Sequence, residues 1–261
     1  MTLMSDTWYI FVRYLKKLVR TPILLFFSLF QPIIFLVLFT QLFSRFSTLL
    51  GPVFVATTGT SSYLEFATAG IILQNAFGSA LQSGNSIVLD IETGFLQKML
   101  VTQVNRSAIL LGRLASDAFR VVIQSAIILG LAYAQGASVT TGIGGILLIF
   151  FTIAFFGLAW SGISLAIGMK TRSAETVFAI GGTITFPLLF LSPALMPISF
   201  LPSWISTVSK FNPVSYAINA IRALMINGYT WSTILQAYGV IALVAVITLS
   251  ATLYQFRKVV S

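Results

Sequence analysis

Few residues in this chain are equipped for chemistry. Its 261 positions hold six Asp and Glu, fifteen Lys and Arg, and no His or Cys. That composition excludes disulfides, thiolate nucleophiles, imidazole metal ligands and imidazole acid/base catalysis. Among the carboxylates only Asp90 and Glu92 are close in sequence. No Gly-x-x-x-x-Gly-Lys-Ser/Thr loop occurs, so the chain does not hold ATP through a P-loop. An intramembrane enzyme would need a close catalytic pair inside its spans, and none is offered. The chain is therefore not expected to be an enzyme by itself, and no catalytic, cofactor-binding or metal-binding residue is assigned.

The polar groups that remain fall in three places. Residues 90 to 100 predict a short helix opened by Asp90 and Glu92, with Ile91, Phe95 and Met99 in one row and Leu96 and Leu100 beside it. Acids at its start and Lys98 near its end suit the helix dipole. Two readings stand: a helix lying on the inner leaflet, or a docking knob for a cytoplasmic partner. The second place is the stretch carrying Glu65, Gln74, Asn75, Gln82, Ser83 and Asn85. These residues either line a pathway or hydrogen-bond to neighbouring helices, and Glu65 has a structural or gating role, with Arg222 as a conceivable partner. The third is the proline-rich segment ending in Asn212 and Pro213.

These groups are positioned by an almost wholly apolar chain. Charged residues make up 8% and apolar ones 57%, against about a quarter and just under half in soluble domains. The fold class expected is an all-α integral membrane protein of six transmembrane helices, one membrane domain over 1–261. Residues 1–21 form an amphipathic interfacial helix, with Trp8, Phe11, Leu15 and Leu18 opposite Arg13, Lys16, Lys17 and Arg20; that basic face suits anionic headgroups. Thr21 is expected to cap the next helix and Pro22 to begin it.

The spans are expected at 22–43, 63–89, 114–135, 143–168, 176–196 and 231–256, with a kink at Pro32. The first is read as a retained span, being too long for a signal-peptide core. Five of the eight prolines lie between Pro187 and Pro213, which predicts a broken, re-entrant segment before span six. Phenylalanines read as lipid-facing or packing groups, and glycines such as Gly157, Gly162 and Gly181 as sites of close helix approach.

The net charge of +9 does not indicate a nucleic-acid partner, because the basic residues are scattered at the ends of apolar runs. With both termini inside, eleven Lys and Arg fall on the cytoplasmic side and three, Arg45, Lys210 and Arg222, outside. This sets the orientation by the positive-inside rule.

The order of these elements resembles the membrane permease subunit of type-2 ABC exporters, most closely the daunorubicin-resistance-like multidrug permeases. Four features carry the resemblance: the basic helix before span one; Tyr63-Leu-Glu65-Phe66-Ala-Thr-Ala-Gly70 opening span two; Glu92-Thr-Gly94-Phe95-Leu-Gln-Lys98-Met99-Leu100 through Arg106 and Leu111-Gly112-Arg113; and Asn212-Pro213 with Tyr216 and Arg222. Gln103 stands where relatives commonly have Pro.

The resemblance implies a half-transporter. Two copies of the permease form the pathway, and separate ATPase subunits carry ATP and magnesium. Asp90, Ile91, Glu92, Gly94, Phe95, Lys98 and Met99 would then be the coupling helix that docks on the ATPase. Glu65, Gln74, Asn75, Asn212, Pro213 and Arg222 become pathway or gate candidates. The implied cargo is a lipophilic or amphipathic molecule moved outward across the plasma (inner) membrane. A lipid-linked polysaccharide exporter and a non-transporting membrane anchor or assembly factor are the alternatives.

Overall fold

The computed structural model describes residues 3–260; Met1 and Thr2, the start of the expected interfacial segment, and Ser261 lie outside the described residues. Among the described residues every regular element is helical. The first helix, α1 (Leu3–Arg20), is amphipathic as expected, but its buried side is Asp6, Ile10 and Tyr14, packed on α5 (Arg106–Ala134). Gly112 permits the approach, since a Cβ there would lie 2.7 Å from the Thr7 carbonyl. Thr21 does not cap α2 (Pro22–Thr58): its hydroxyl bonds back to Lys17 O at 2.8 Å, closing the end of α1 instead. Pro22 does occupy the first turn of α2.

The helix that carries the first span, expected to end at Phe43, runs further, although its membrane-length apolar part is Phe26–Arg45. Helical dihedrals run through Pro32, and the helix continues to Thr58 with its one break at Gly51 (φ 43, ψ −115), just before Pro52. Nothing between Phe43 and Gly51 stops a helix. The hydroxyls of Ser44, Ser47 and Thr48 bond to carbonyls three or four residues back, so they compete little with it.

The centre of the bundle is α3 (Tyr63–Glu92). Ser62 caps it by accepting the Glu65 amide, the start signal expected of Ser followed by Glu at the third position. Its buried face packs on α2, α5, α6 (Gly142–Thr171) and α7 (Ala174–Phe190). Gly84 and Gly168 bring α3 and α6 together: a Cβ on Gly84 would sit 2.5 Å from Ser164 O. Phe77 meets Phe156 and Trp160 edge-on at 5.1 and 4.8 Å between centroids, the arrangement favoured by ring quadrupoles.

Residues 90–100 are not one helix. Asp90, Ile91 and Glu92 finish α3, Gly94 turns the chain in the left-handed region (φ 67), and α4 (Phe95–Leu100) follows. Glycine is the residue that adopts this conformation without Cβ strain. Beyond it α5 begins at Arg106, about two turns before the expected 114, because Asn105 accepts the Ser107 amide as an N-cap and Ala108, Ile109 and Leu110 are buried.

The broken segment before the last helix is present, in a form that shortens span five. With 17 residues α7 reaches about 25 Å, less than the roughly 30 Å of a hydrocarbon core. It ends at Phe190 instead of 196. A turn, one 3-10 turn (Ile198–Phe200) and α8 (Ser203–Ser209) lead to α9 (Pro213–Arg222). Asn212 fastens the junction. Its Nδ2 donates to Leu188 O and Leu191 O at the freed end of α7, at 2.6 and 3.1 Å, while its Oδ1 caps α9 through Val214 N. Then α9 climbs through the core into a π-helical turn (Ala223–Asn227), whose Leu224 and Met225 carbonyls accept from Thr141 and Thr140. Last comes α10 (Trp231–Val260).

Among the described residues four segments are long and apolar enough to cross a membrane: the Phe26–Arg45 part of α2, α5, α6 and α10. The chain is a multi-pass integral membrane protein.

Candidate functional site

The most concentrated polar chemistry lies at the end of the bundle where α3 finishes and α5 begins, and it is assembled from three helices. Arg113 of α5 is buried, at 2% exposure, and its Nη1 donates to Asp90 Oδ2 at 2.8 Å and to the Tyr14 hydroxyl at 3.1 Å. Tyr14 of α1 in turn donates to the same carboxylate oxygen at 2.8 Å. Burial pushes the Tyr14 phenol above its ordinary range, with the Arg113 guanidinium acting in the opposite sense, so at neutral pH the phenol keeps the proton it donates. Nη2 of Arg113 reaches Ser83 O at 3.0 Å, and Lys17 Nζ stands 3.7 Å from Asp90 Oδ1.

The network continues along α5 toward the middle of the bundle. Ser83 donates to Asp117 Oδ2, Arg120 pairs with Asp117 at 3.1 Å, and Arg120 also binds Ser79 through its hydroxyl and carbonyl. One turn further, Gln124 donates to Ser28 of α2 at 2.7 Å and accepts from Asn75 of α3 at 3.4 Å. Arg113, Asp117, Arg120 and Gln124 thus form one polar row on α5. A buried guanidinium and carboxylate are tolerated when each compensates the other and the leftover lone pairs are hydrogen-bonded. Both acids of this network are held by arginines, which leaves neither positioned as a free general base. Among the described residues no group of metal-type ligands forms.

Beside the network is a cavity of about 430 Å³, bounded by α1, α2, α3 and α5, with Gln82, Asn85 and Ser86 on its α3 wall and Asp117, Arg120 and Gln124 on its α5 wall. Asn85 Oδ1 is buried there with no hydrogen-bond partner.

The residues expected to act together separate in the fold. Asp90 belongs to the buried network, whereas Glu92 is exposed at the rim of the cavity. Ile91 and Leu96 are packed inward. Phe95 lies under Arg13, whose guanidinium carbon is 3.4 Å from the ring centroid, and Met99 Sδ accepts from Arg13 at 3.8 Å. The outward surface after α3 is instead Glu92, Thr93, Gln97, Lys98 and Val101, the last 87% exposed. Gly94 makes the turn that presents them.

At the opposite end Glu65 and Arg222 do not pair. Glu65 accepts from Ser138 N and Oγ at 3.0 and 2.6 Å and from Thr60 Oγ1 at 2.6 Å, tying the start of α3 to the loop after α5. Arg222 is buried beneath, donating to Phe66 O and Pro193 O at 3.2 and 2.7 Å with its guanidinium 3.7 Å from the Phe66 ring centroid. The helical step from 65 to 66 turns these neighbours to different sides of α3, which is why the two charges miss each other. Asn75 is part of the network, and the Gln74 Oε1 is buried without a partner. Asn212 and Pro213 serve the α7–α9 junction.

Tyr14, Arg113, Asp117 and Arg120 were not among the site residues expected from sequence. A signal was present: ionisable residues inside an apolar span are rare and mark function by default, and positions 113, 117 and 120 share one helical face.

Comparison with known proteins adds to this geometry. The family model described as "ABC-2 type transporter" matches residues 5–226. The chain is 31% identical over 238 residues to the ycf38 protein of Porphyra purpurea, named as a transport permease, covering 88% of this chain and 78% of that one. It is 28% identical over 204 residues to the daunorubicin resistance ABC transporter permease protein DrrB1 of Streptomyces coeruleorubidus, covering 78% and 69%. A likeness of 27% over 201 residues extends to nodulation protein J of Rhizobium leguminosarum bv. trifolii, covering 75% and 74%.

Proposed function

Because the chain belongs to the ABC-2 type transporter family and is a transport permease, we propose that it is the membrane subunit of an ATP-driven exporter of a lipophilic or amphipathic molecule. It works as two copies with separate ABC ATPase subunits, which bind the ATP and magnesium. In this reading the end bearing α4 is cytoplasmic, as the excess of Lys and Arg there requires. Both termini are inside, and the membrane is the plasma (inner) membrane. Six crossings result when α3 counts as a span despite its polarity and when α7 and α9 together make the fifth.

The observation that carries the reading is the connection between α4 and the cavity. Asp90 sits at the end of α3 immediately before the Gly94 turn, and the same carboxylate is held by Arg113, which starts the polar row reaching Gln124. A push on α4 by an ATPase therefore acts on a rigid, buried joint that borders the cavity. A second observation supports the pair of copies. Gly78, Gln82, Asn85, Ser86 and Leu89 form an incompletely covered stripe on α3, and polar groups of this kind are costly against lipid. A second permease covers them and completes a path.

The test is co-purification of the chain with the ABC ATPase encoded beside it, followed by ATP hydrolysis measured on the complex. A stable complex with hydrolysis is expected; recovery of the permease with no ATPase, under conditions that keep it folded, overturns the exporter reading in favour of a membrane anchor.

A further inference from the structure

The basic side of α1 carries more charge than the protein answers. A groove of about 490 Å³ runs along it, lined by Tyr9, Val12, Arg13, Lys16, Lys17 and Arg20 and ending at Thr21. Those positions follow steps of three and four, so they make one stripe. Among the described residues the one carboxylate within ion-pair distance of the stripe is Asp90, 3.7 Å from Lys17 and already held by Arg113. No acid of the described chain pairs with Arg13, Lys16 or Arg20.

Two neighbours of the stripe say what answers these cations. On one side of Val12, one and two turns away along α1, Trp8 and Val19 are 61% and 78% exposed. Cations beside an exposed apolar face suit an amphiphile with its phosphate at the interface, whereas an acidic protein surface answers the cations alone. On the other side the stripe is joined to α4. The Arg13 guanidinium covers the Phe95 ring and donates to Met99 Sδ, and Asp6 accepts from the Asn105 amide at 3.1 Å, just beyond α4.

We propose that the α1 groove is a binding site for the headgroup of an anionic phospholipid, with Arg13, Lys16 and Arg20 on the phosphodiester and the acyl chains passing Val12 along Trp8 and Val19. A guanidinium binds phosphate through its N–H edge while its face stays on an aromatic ring. Arg13 therefore serves both contacts at once, and the bound lipid steadies α4. This lipid belongs to the surrounding membrane and is not the cargo. Binding, and the steadying of α4, are properties of this chain alone; an ATPase activity that depends on anionic lipid rests in addition on the exporter reading.

The experiment titrates the full chain, in a non-ionic detergent, with phosphatidylglycerol or phosphatidylcholine of the same acyl chains and counts the first bound lipid by native mass spectrometry. Phosphatidylglycerol is expected to bind the more tightly. Joint replacement Lys16→Gln and Arg20→Gln is expected to weaken it about twentyfold, at about fivefold for each basic residue facing an anionic headgroup, and to leave phosphatidylcholine unchanged. Lys170→Gln with Arg172→Gln removes two exposed charges from the end of α6 and is expected to alter neither. Amide exchange of residues 95–101 is expected to slow when phosphatidylglycerol binds. Equal binding of the two lipids, an equal loss in the α6 pair, displacement of the lipid by soluble glycerol phosphate, or unchanged exchange in α4 overturns the proposal. So does loss of ATPase capture in the α1 pair without any lipid preference, which makes the stripe a protein contact. Lipid preference and α4 exchange are read on the unmutated chain, so they decide even where the α1 pair fails to insert. ATPase capture on the same preparation separates the two readings: lipid selectivity without an ATPase leaves the site and no exporter, and an ATPase without lipid selectivity leaves the exporter and no site.

Discussion

Arg113 is the residue on which most of the polar architecture depends, and its energetics are asymmetric. Replacing it by Met leaves the Asp90 carboxylate buried with only Tyr14 and a distant Lys17, and a stranded buried charge costs about 3–5 kcal/mol. Removing both partners, as Asp90→Leu with Arg113→Met, deletes the desolvated pair and is expected to cost less than Arg113→Met alone. Lys17 is 41% exposed at its side chain and 3.7 Å from the acid, so Lys17→Gln is expected to shift stability by less than about 1 kcal/mol. Thermal unfolding of the three purified variants in one detergent checks the order. The sequence showed Arg113 as a basic residue closing the segment that resembles the family's coupling region, with nothing to name its partners. Its three partners come from positions 14, 83 and 90, and no local periodicity links those.

Helices in this protein are set close where glycine removes a side chain, and the effect is specific to position. A Cβ on Gly84 meets the Ser164 carbonyl at 2.5 Å, whereas one on Gly78, two turns earlier on α3, meets nothing within 4 Å. Gly84→Ala is therefore expected to destabilise by about 1–3 kcal/mol through forced separation of α3 and α6, and Gly78→Ala to be neutral or slightly stabilising. Unfolding midpoints of the two variants give the comparison. The turn at Gly94 offers a test of α4. Lys98→Glu with Val101→Asp alters only its outward surface and is expected to abolish ATPase co-purification while the permease still inserts. Phe95→Asp is expected to lower yield first, because that ring is covered by Arg13. Helix existence was legible for nearly every element. The ends were less so: α2 ran on past Phe43 for want of a breaker, and α7 stopped early because the prolines after it have no N–H to continue the helix and Asn212 donates to the carbonyls left at its end.

At the scale of the molecule, topology can be measured directly, because the chain has no cysteine. Single cysteines at Gln97 and Gln135, both exposed and at opposite ends of the bundle, are expected to react with a membrane-impermeant maleimide from opposite sides. Gln135→Cys should be labelled in intact cells and Gln97→Cys only in inverted vesicles; labelling of both from one side would reverse or break the topology. What the sequence determined by itself was the solvent and the class of fold: an 8% share of charged residues and apolar runs of bilayer length leave little besides a helical membrane protein, since backbone groups in lipid must be satisfied within each segment. It also placed the proline-broken segment before the last helix, because proline acts locally, but not the breaks at Gly51 and Gly94. Tertiary structure alone decided which polar groups meet. It buried Asp90 while leaving Glu92 outside, joined it to Tyr14 and Arg113, and parted Glu65 from Arg222. Those outcomes depend on how helices rotate and cross when their small residues interlock, a property of the packed bundle that no stretch of one helix contains.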